Sequence, residues 1–155
     1  MTIYQIDEKG LLYISPVVDD WVTLDKSSIF AVFNLDSDLD QHIPSYLNRT
    51  LYIFFPFEDR DLPDLGKLHA LAQFGASLIN TGYPVLSHCG MGHNRSALLA
   101  GLMLNYLGFP GEEAVRLIRE RRTGALYNQT FASYLEALPA QPTRLMFQRP
   151  DVLFQ

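Results

Sequence analysis

The stretch Val85-Leu86-Ser87-His88-Cys89-Gly90-Met91-Gly92-His93-Asn94-Arg95-Ser96 constrains this chain more than any other part of it. An apolar, strand-like run ends at His88, the one cysteine of the protein follows, and Ala97 to Leu104 is a run of apolar helix formers. A strand, a tight loop and a helix N-terminus in that order leave backbone N–H groups without intrahelical partners. The helix dipole adds partial positive charge at the same place. Gly90 and Gly92 allow the backbone angles of a closed anion nest, lined by the N–H groups of Gly90, Met91, Gly92, His93, Asn94 and Arg95. The Arg95 guanidinium supplies a planar fork for two oxygens of one tetrahedral oxyanion. Cys89 falls at the floor of such a cup, where the same donors favour its nucleophilic thiolate form. His88 is placed to assist by hydrogen bonding, and the Ser96 hydroxyl to stabilise sulfur as a leaving group.

The rest of the composition limits what surrounds this cup. A chain of 155 residues is one domain's worth, long enough to bury about two-thirds of its unfolded surface. A formal net charge of −5 argues against nucleic acid or an anionic membrane as partner, so the anion site is a local positive cup in an acidic protein. A single cysteine excludes an internal disulfide and suits a reducing compartment. No apolar stretch reaches about 18 residues and the N-terminus lacks a charged-then-apolar signal pattern, so the expectation is a soluble, cytoplasmic protein. The four histidines show no ligand spacing with the cysteine, so neither metal nor cofactor is expected.

Read in order, the chain alternates apolar runs with amphipathic ones. Leu11 to Ser15 reads as a strand stopped by Pro16, and Asp19 to Leu24 as a short helix. Ile29 to Leu35 and Thr50 to Phe55 read as strands covered on both faces, separated by a polar loop from Asp36 to Asn48. Pro56 to Pro63 is a charged surface loop, and Asp64 to Ile79 a helix ended by Asn80-Thr81-Gly82. After the strand opened by Pro84 come helices from Arg95 to Leu107, Glu112 to Arg122 and Asn128 to Leu138. Uninterrupted apolar strands alternating with helices predict a single-domain α/β fold with a mostly parallel central sheet flanked by helices. In such sheets ligands bind beyond the carboxyl ends of the strands, where the loops after His88 and Phe55 both lie. From Pro139 the chain loses its period. Residues 1–139 are therefore taken as the domain and 140–155 as a tail, whose Val152-Leu153-Phe154-Gln155 resembles the remnant of a viral protease site used to remove tags.

His88-Cys89-x-x-Gly92-x-x-Arg95-Ser96 resembles the signature loop of the cysteine-dependent protein tyrosine phosphatase superfamily, and its flanks are most similar to the small dual-specificity phosphatases. The resemblance covers roughly Leu11 to Leu138. It implies a metal-independent phosphomonoesterase that works through a phosphocysteine, with a phosphorylated protein or peptide as substrate and phosphate, sulfate or vanadate as occupants of the site. Expelling an alkoxide or phenoxide from phosphorus needs a proton donor. Chemistry alone does not choose among Glu58, Asp59, Asp61 and Asp64. Similarity to the family does, because its acid stands three residues after a proline that ends a strand, here Asp59. Asn128 matches a family residue that supports the phosphate loop, and is equally explicable as a helix cap. Arg121 and Arg122 are read as a solvated helix end over the alternative that they line the mouth, and His93, inside the loop, as a neutral histidine at the rim over the alternative that it faces the substrate. Met91 and Asn94 depart from the Ala and Gly that the family commonly carries, which bears on leaving-group preference. Three other readings stand beside this one: a phosphatase of a phosphoinositide, nucleotide or sugar phosphate; a non-catalytic phosphate-binding adaptor; and a rhodanese-like sulfur or arsenate transferase.

Overall fold

The computed structural model describes residues 1–45 and 49–142; the expectations for the tail from 143 onward lie outside the described residues. Ten elements follow in order: β1 (Tyr4–Gln5), β2 (Leu12–Ser15), α1 (Trp21–Lys26), β3 (Ala31–Asn34), β4 (Leu51–Phe54), α2 (Leu65–Asn80), β5 (Val85–His88), α3 (Arg95–Tyr106), α4 (Gly111–Arg121) and α5 (Gln129–Glu136). The strands form one sheet in the order β1-β2-β5-β3-β4, and all neighbours are parallel except β1 and β2. This is the α/β architecture the apolar runs predict, with the strand before Cys89 at its centre.

Strand side chains alternate between faces, and here the alternation separates two layers of core. Ala31, Phe33 and Val85 point to the face that carries α2, α3, α4 and α5, where Leu68, Leu98, Leu99, Leu102 and Phe131 are fully buried. Val32 and Leu86 point to the opposite face and meet Val18, Leu24 and Ile29 around α1. By the same period Asn34 and His88, which are paired across β3 and β5, lie on the α1 face. Every residue of α3 from Ser96 to Asn105 is buried, so the helix that begins at the loop is held on all sides. Burial of each of its leucines contributes about 1.5–3 kcal/mol, which fixes the helix and therefore the loop that starts it.

Two differences from the sequence reading have physical causes. The strand at residues 51–54 is not covered on both faces: it pairs with β3 alone at the sheet edge, and Leu51 and Phe54 are exposed. An apolar run does not say whether a second strand will cover it. The polar pair Tyr4–Gln5, which has no strand pattern of its own, is recruited to the opposite edge by antiparallel pairing with Ile14 and Tyr13.

Candidate active site

The loops beyond three parallel strand ends converge because the ladder hydrogen bonds continue past the strands. The amide of Cys89 donates to Ser15 O (3.4 Å), that of Leu35 to His88 O (2.9 Å) and that of Phe55 to Asn34 O (3.0 Å). The segments starting at Pro16, Asp36 and Pro56 are thus set side by side around residues 89–95. Gly92 closes the loop under the end of β2. Its φ is +69°, and a Cβ there would lie 2.6 Å from Pro16 N and from the Ser15 carbonyl carbon, which only glycine avoids.

Cys89 is 2% exposed, and its Sγ lies 3.4 Å from the Ser96 Oγ. Asp20, Asp64 and Asn128 cap the helices that follow them with side-chain oxygens, whereas no side chain caps α3. Its first N–H groups are left for an anion. Arg95 enters the same space on a fixed stem. One guanidinium nitrogen donates to Leu35 O (3.3 Å) and Phe57 O (3.1 Å), and the other pairs with Asp36 at 3.2 Å. Its Nε is buried without a protein partner. The structure therefore brings Cys89, Arg95 and Ser96 together with the backbone of Gly90 to Asn94.

His88 does not face the cup. It is fully buried on the α1 face, where its Nε2 meets Asp40 Oδ2 at 2.6 Å; the two side chains are 0% and 1% exposed. The Tyr52 hydroxyl donates to the same oxygen (2.8 Å) and accepts from Asn34 Nδ2 (2.7 Å) and the Asp40 amide (3.1 Å). Asp40 and Tyr52 were not legible as site residues, because one lies in a polar loop and the other in an apolar strand, far from Cys89 in sequence.

Asp59 stands on the other flank. Its Oδ2 accepts from Asn94 Nδ2 and its Oδ1 from Asn128 Nδ2, both at 2.8 Å. Asn128 is indeed the cap of α5, accepting from Phe131 N (3.2 Å), and its own amide N–H donates to Asn94 Oδ1 (2.9 Å). Of the other acidic residues in this loop, Asp64 caps α2 through Lys67 N (3.0 Å), and Glu58 and Asp61 are exposed.

Arg122 corrects the sequence reading most directly, because it is no solvated helix end. It donates to Met91 O and Gly92 O (both 3.3 Å), to Tyr4 Oη (3.0 Å) and to His93 Nε2, with its guanidinium 4.3 Å above the Tyr4 ring. It pins the outer side of the loop to β1. His93 is half-buried beside it, and burial pushes its pKa below the usual imidazole value; the Arg122 charge adds to this and the Asp59 carboxylate opposes it. Leu126, in the left-handed region at φ 59°, donates its amide to His93 O (2.9 Å), so the loop is held from this side too. Met91 and Tyr127 are exposed at the rim, 66% and 63%. A cavity of about 310 Å³ opens beside the cup, lined by Val17, Val18, Leu39 and the acidic Asp19, Asp36 and Asp38.

A buried cysteine at an uncapped helix start, the Arg95 guanidinium of the same loop and a carboxylate held by the loop's Asn94 make a site suited to nucleophilic displacement at a tetrahedral oxyanion. Residues 12–139 match the family of the dual specificity phosphatase catalytic domain, and the chain belongs to that family. The fold and family are those of a cysteine-based phosphatase. Among solved structures, Tk-PTP in its active form is 25% identical, with 86% of this chain and 95% of that chain covered and a TM-score of 0.67. Human DUSP28 is 17% identical, with 86% and 90% covered and a TM-score of 0.74. PTPMT1, solved in complex with PI(5)P, is 17% identical, with 86% and 92% covered and a TM-score of 0.71. No curated protein matches the chain by sequence. No helix among the described residues is long and apolar enough to cross a membrane.

Proposed function

We propose that this protein hydrolyses phosphate monoesters of protein tyrosine, serine or threonine side chains through a phosphocysteine at Cys89, without a metal ion. The reading is carried by the placement of the Cys89 sulfur, 3.4 Å from the Ser96 hydroxyl on the loop whose arginine and uncapped helix start furnish the anion cup. In the first step the Cys89 thiolate forms an S–P bond as the P–O bond to the leaving group breaks. Arg95 and the loop N–H groups hold the three equatorial oxygens, and Asp59 gives its proton to the departing oxygen. In the second step the Asp59 carboxylate takes a proton from water as the water oxygen bonds to phosphorus. The P–S bond breaks, and Ser96 donates to the returning thiolate. Positive charge comes from the guanidinium and the helix start, so EDTA is expected to leave activity intact.

The mouth supports a protein substrate over a polyanionic one. Arg122 is fully engaged by the loop and by Tyr4, the neighbouring cavity is acidic, and the rim presents Met91 and Tyr127. A phosphorylated side chain brings one dianion to this surface, whereas a polyphosphorylated headgroup or nucleotide brings several charges toward an acidic cavity and an apolar rim. Rates on phosphotyrosine and phosphothreonine peptides, a phosphatidylinositol bisphosphate and a nucleoside 3′,5′-bisphosphate test the assignment. Higher kcat/KM on the peptides is expected. A preference for the lipid or the nucleotide would overturn the protein assignment while leaving the phosphatase chemistry in place.

A further inference from the structure

We infer that Asn94 is a positioning residue for proton transfer: its side-chain amide, with that of Asn128, clamps both oxygens of the Asp59 carboxylate and sets its orientation over the cup. The inference rests on the reading of Asp59 as the proton donor and goes beyond it, because the holder of that donor lies in the phosphate loop itself.

The amide orientations follow from backbone donors. Asn94 Oδ1 accepts the N–H of Asn128, so its Nδ2 is the end that meets Asp59. Asn128 Oδ1 accepts the N–H of Phe131, so its Nδ2 also turns to Asp59. The same Nδ2 lies 3.2 Å from Arg60 O, which ties down the loop next to the carboxylate. Asn94 is 1% exposed and immediately precedes Arg95, while Asp59 is open to solvent. One buried amide thus couples three pieces: the phosphate loop, the loop after β4 and the start of α5. An amide on each oxygen leaves one lone pair of each free for the proton and fixes the plane in which that proton lies. Small displacements of such a group lower the rate of proton transfer steeply.

The groups that meet Asp59 are the two amides and, through its charge, His93, whose titration it influences. Asn94→Asp keeps the size and the acceptor for Asn128 N but exchanges the donor for a like charge. Asn128→Asp does the same while keeping an oxygen able to cap α5. Rates are compared on an alkyl phosphate, whose departure needs the proton, and on an aryl phosphate with an activated leaving group, whose departure needs it little. Each variant is expected to lose at least about ten-fold more kcat/KM, which reports transfer to Cys89 and not the later hydrolysis common to both esters, on the alkyl than on the aryl ester. The alkaline limb on the alkyl ester should move to higher pH, since a like charge, or a lost donor, makes Asp59 hold its proton longer. Equal losses on both esters with an unmoved limb would show a merely structural role and overturn the inference. If Asn94→Asp does not fold, the Asn128→Asp result decides alone. Asp59→Asn is measured in parallel. Selective loss there without it in the clamp variants refutes the clamp and spares the acid; absence of selective loss in Asp59→Asn refutes the acid assignment, and the clamp with it.

Discussion

Cys89 is flanked by two carboxylates that live under opposite conditions. Asp40, on the α1 face, has its side chain packed against His88 and Tyr52 and 1% exposed. Asp59, across the loop, is exposed and held only by two amides. A buried carboxylate paired with a histidine is a structural lock, because separating either partner leaves an unpaired polar group in a low-dielectric layer. An exposed carboxylate with a fixed plane can exchange protons with water and deliver them in one direction. The strand end that carries the nucleophile is held by the first, and the leaving group is served by the second. Stability and proton transfer are therefore assigned to different sides of one cysteine.

The largest effects should separate the two sides cleanly. Asp40→Ala leaves His88 buried without its partner and is expected to destabilise the fold by about 3 kcal/mol, read as a lower midpoint in urea. Asp59→Asn should lower kcat for poor leaving groups by about 10²–10⁴ while stability stays within about 0.5 kcal/mol of the parent. Exchange of these outcomes, with Asp40→Ala folding normally and Asp59→Asn unfolding readily, would break the comparison.

A third test lies away from the site, where His69 of α2 reaches Tyr106 Oη (2.7 Å) and Tyr134 Oη (2.5 Å). Burial lowers its pKa below the usual imidazole value. The folded protein thus resists a proton that the unfolded chain accepts. Its stabilising contribution is complete above about pH 6.5 and is lost as pH falls through the lower folded value. Melting temperature should decline from pH 7 to pH 5, and His69→Gln should flatten that decline; an unaltered slope would remove His69 as its cause. The smallest effect is expected for Tyr4→Phe, which keeps the ring beneath Arg122 and deletes one hydrogen bond. A loss of about 1 kcal/mol in stability is expected, and a loss of activity comparable to that of Asp59→Asn would mean that the β1 edge controls the loop more than Asn94 does.

The centre of this architecture was readable because it is written in consecutive residues. Strand β5, the two glycines and the apolar run of α3 specify a strand, a nest and a helix without help from elsewhere. What escaped reading depends on partners distant in sequence. Nothing near Asp40 announces a histidine 48 residues away, and Arg122 looks like any basic residue at a helix end until Tyr4 and the loop carbonyls surround it. Asn94 stands out in the sequence only as a departure from the family's common Gly, and its φ of −112° asks for no special backbone freedom. Its side chain matters instead, and only the approach of Asp59 and Asn128 shows it. Asn128 was open between cap and support, and the geometry gives it both a cap and a contact with Asn94. The apolar run at residues 51–54 carried no sign that its two ends, Leu51 and Phe54, would stay exposed at a sheet edge.

The central claim is that the Cys89 sulfur takes the phosphoryl group. Rapid-quench mass spectrometry of Asp59→Asn mixed with an aryl phosphate tests it most directly, because that variant should form the intermediate and hydrolyse it slowly. The account predicts one phosphoryl group on the peptide containing Cys89, absent when Cys89→Ser is added to the same chain. Turnover that persists in Cys89→Ser, or a phosphoryl group found on another residue, would contradict it.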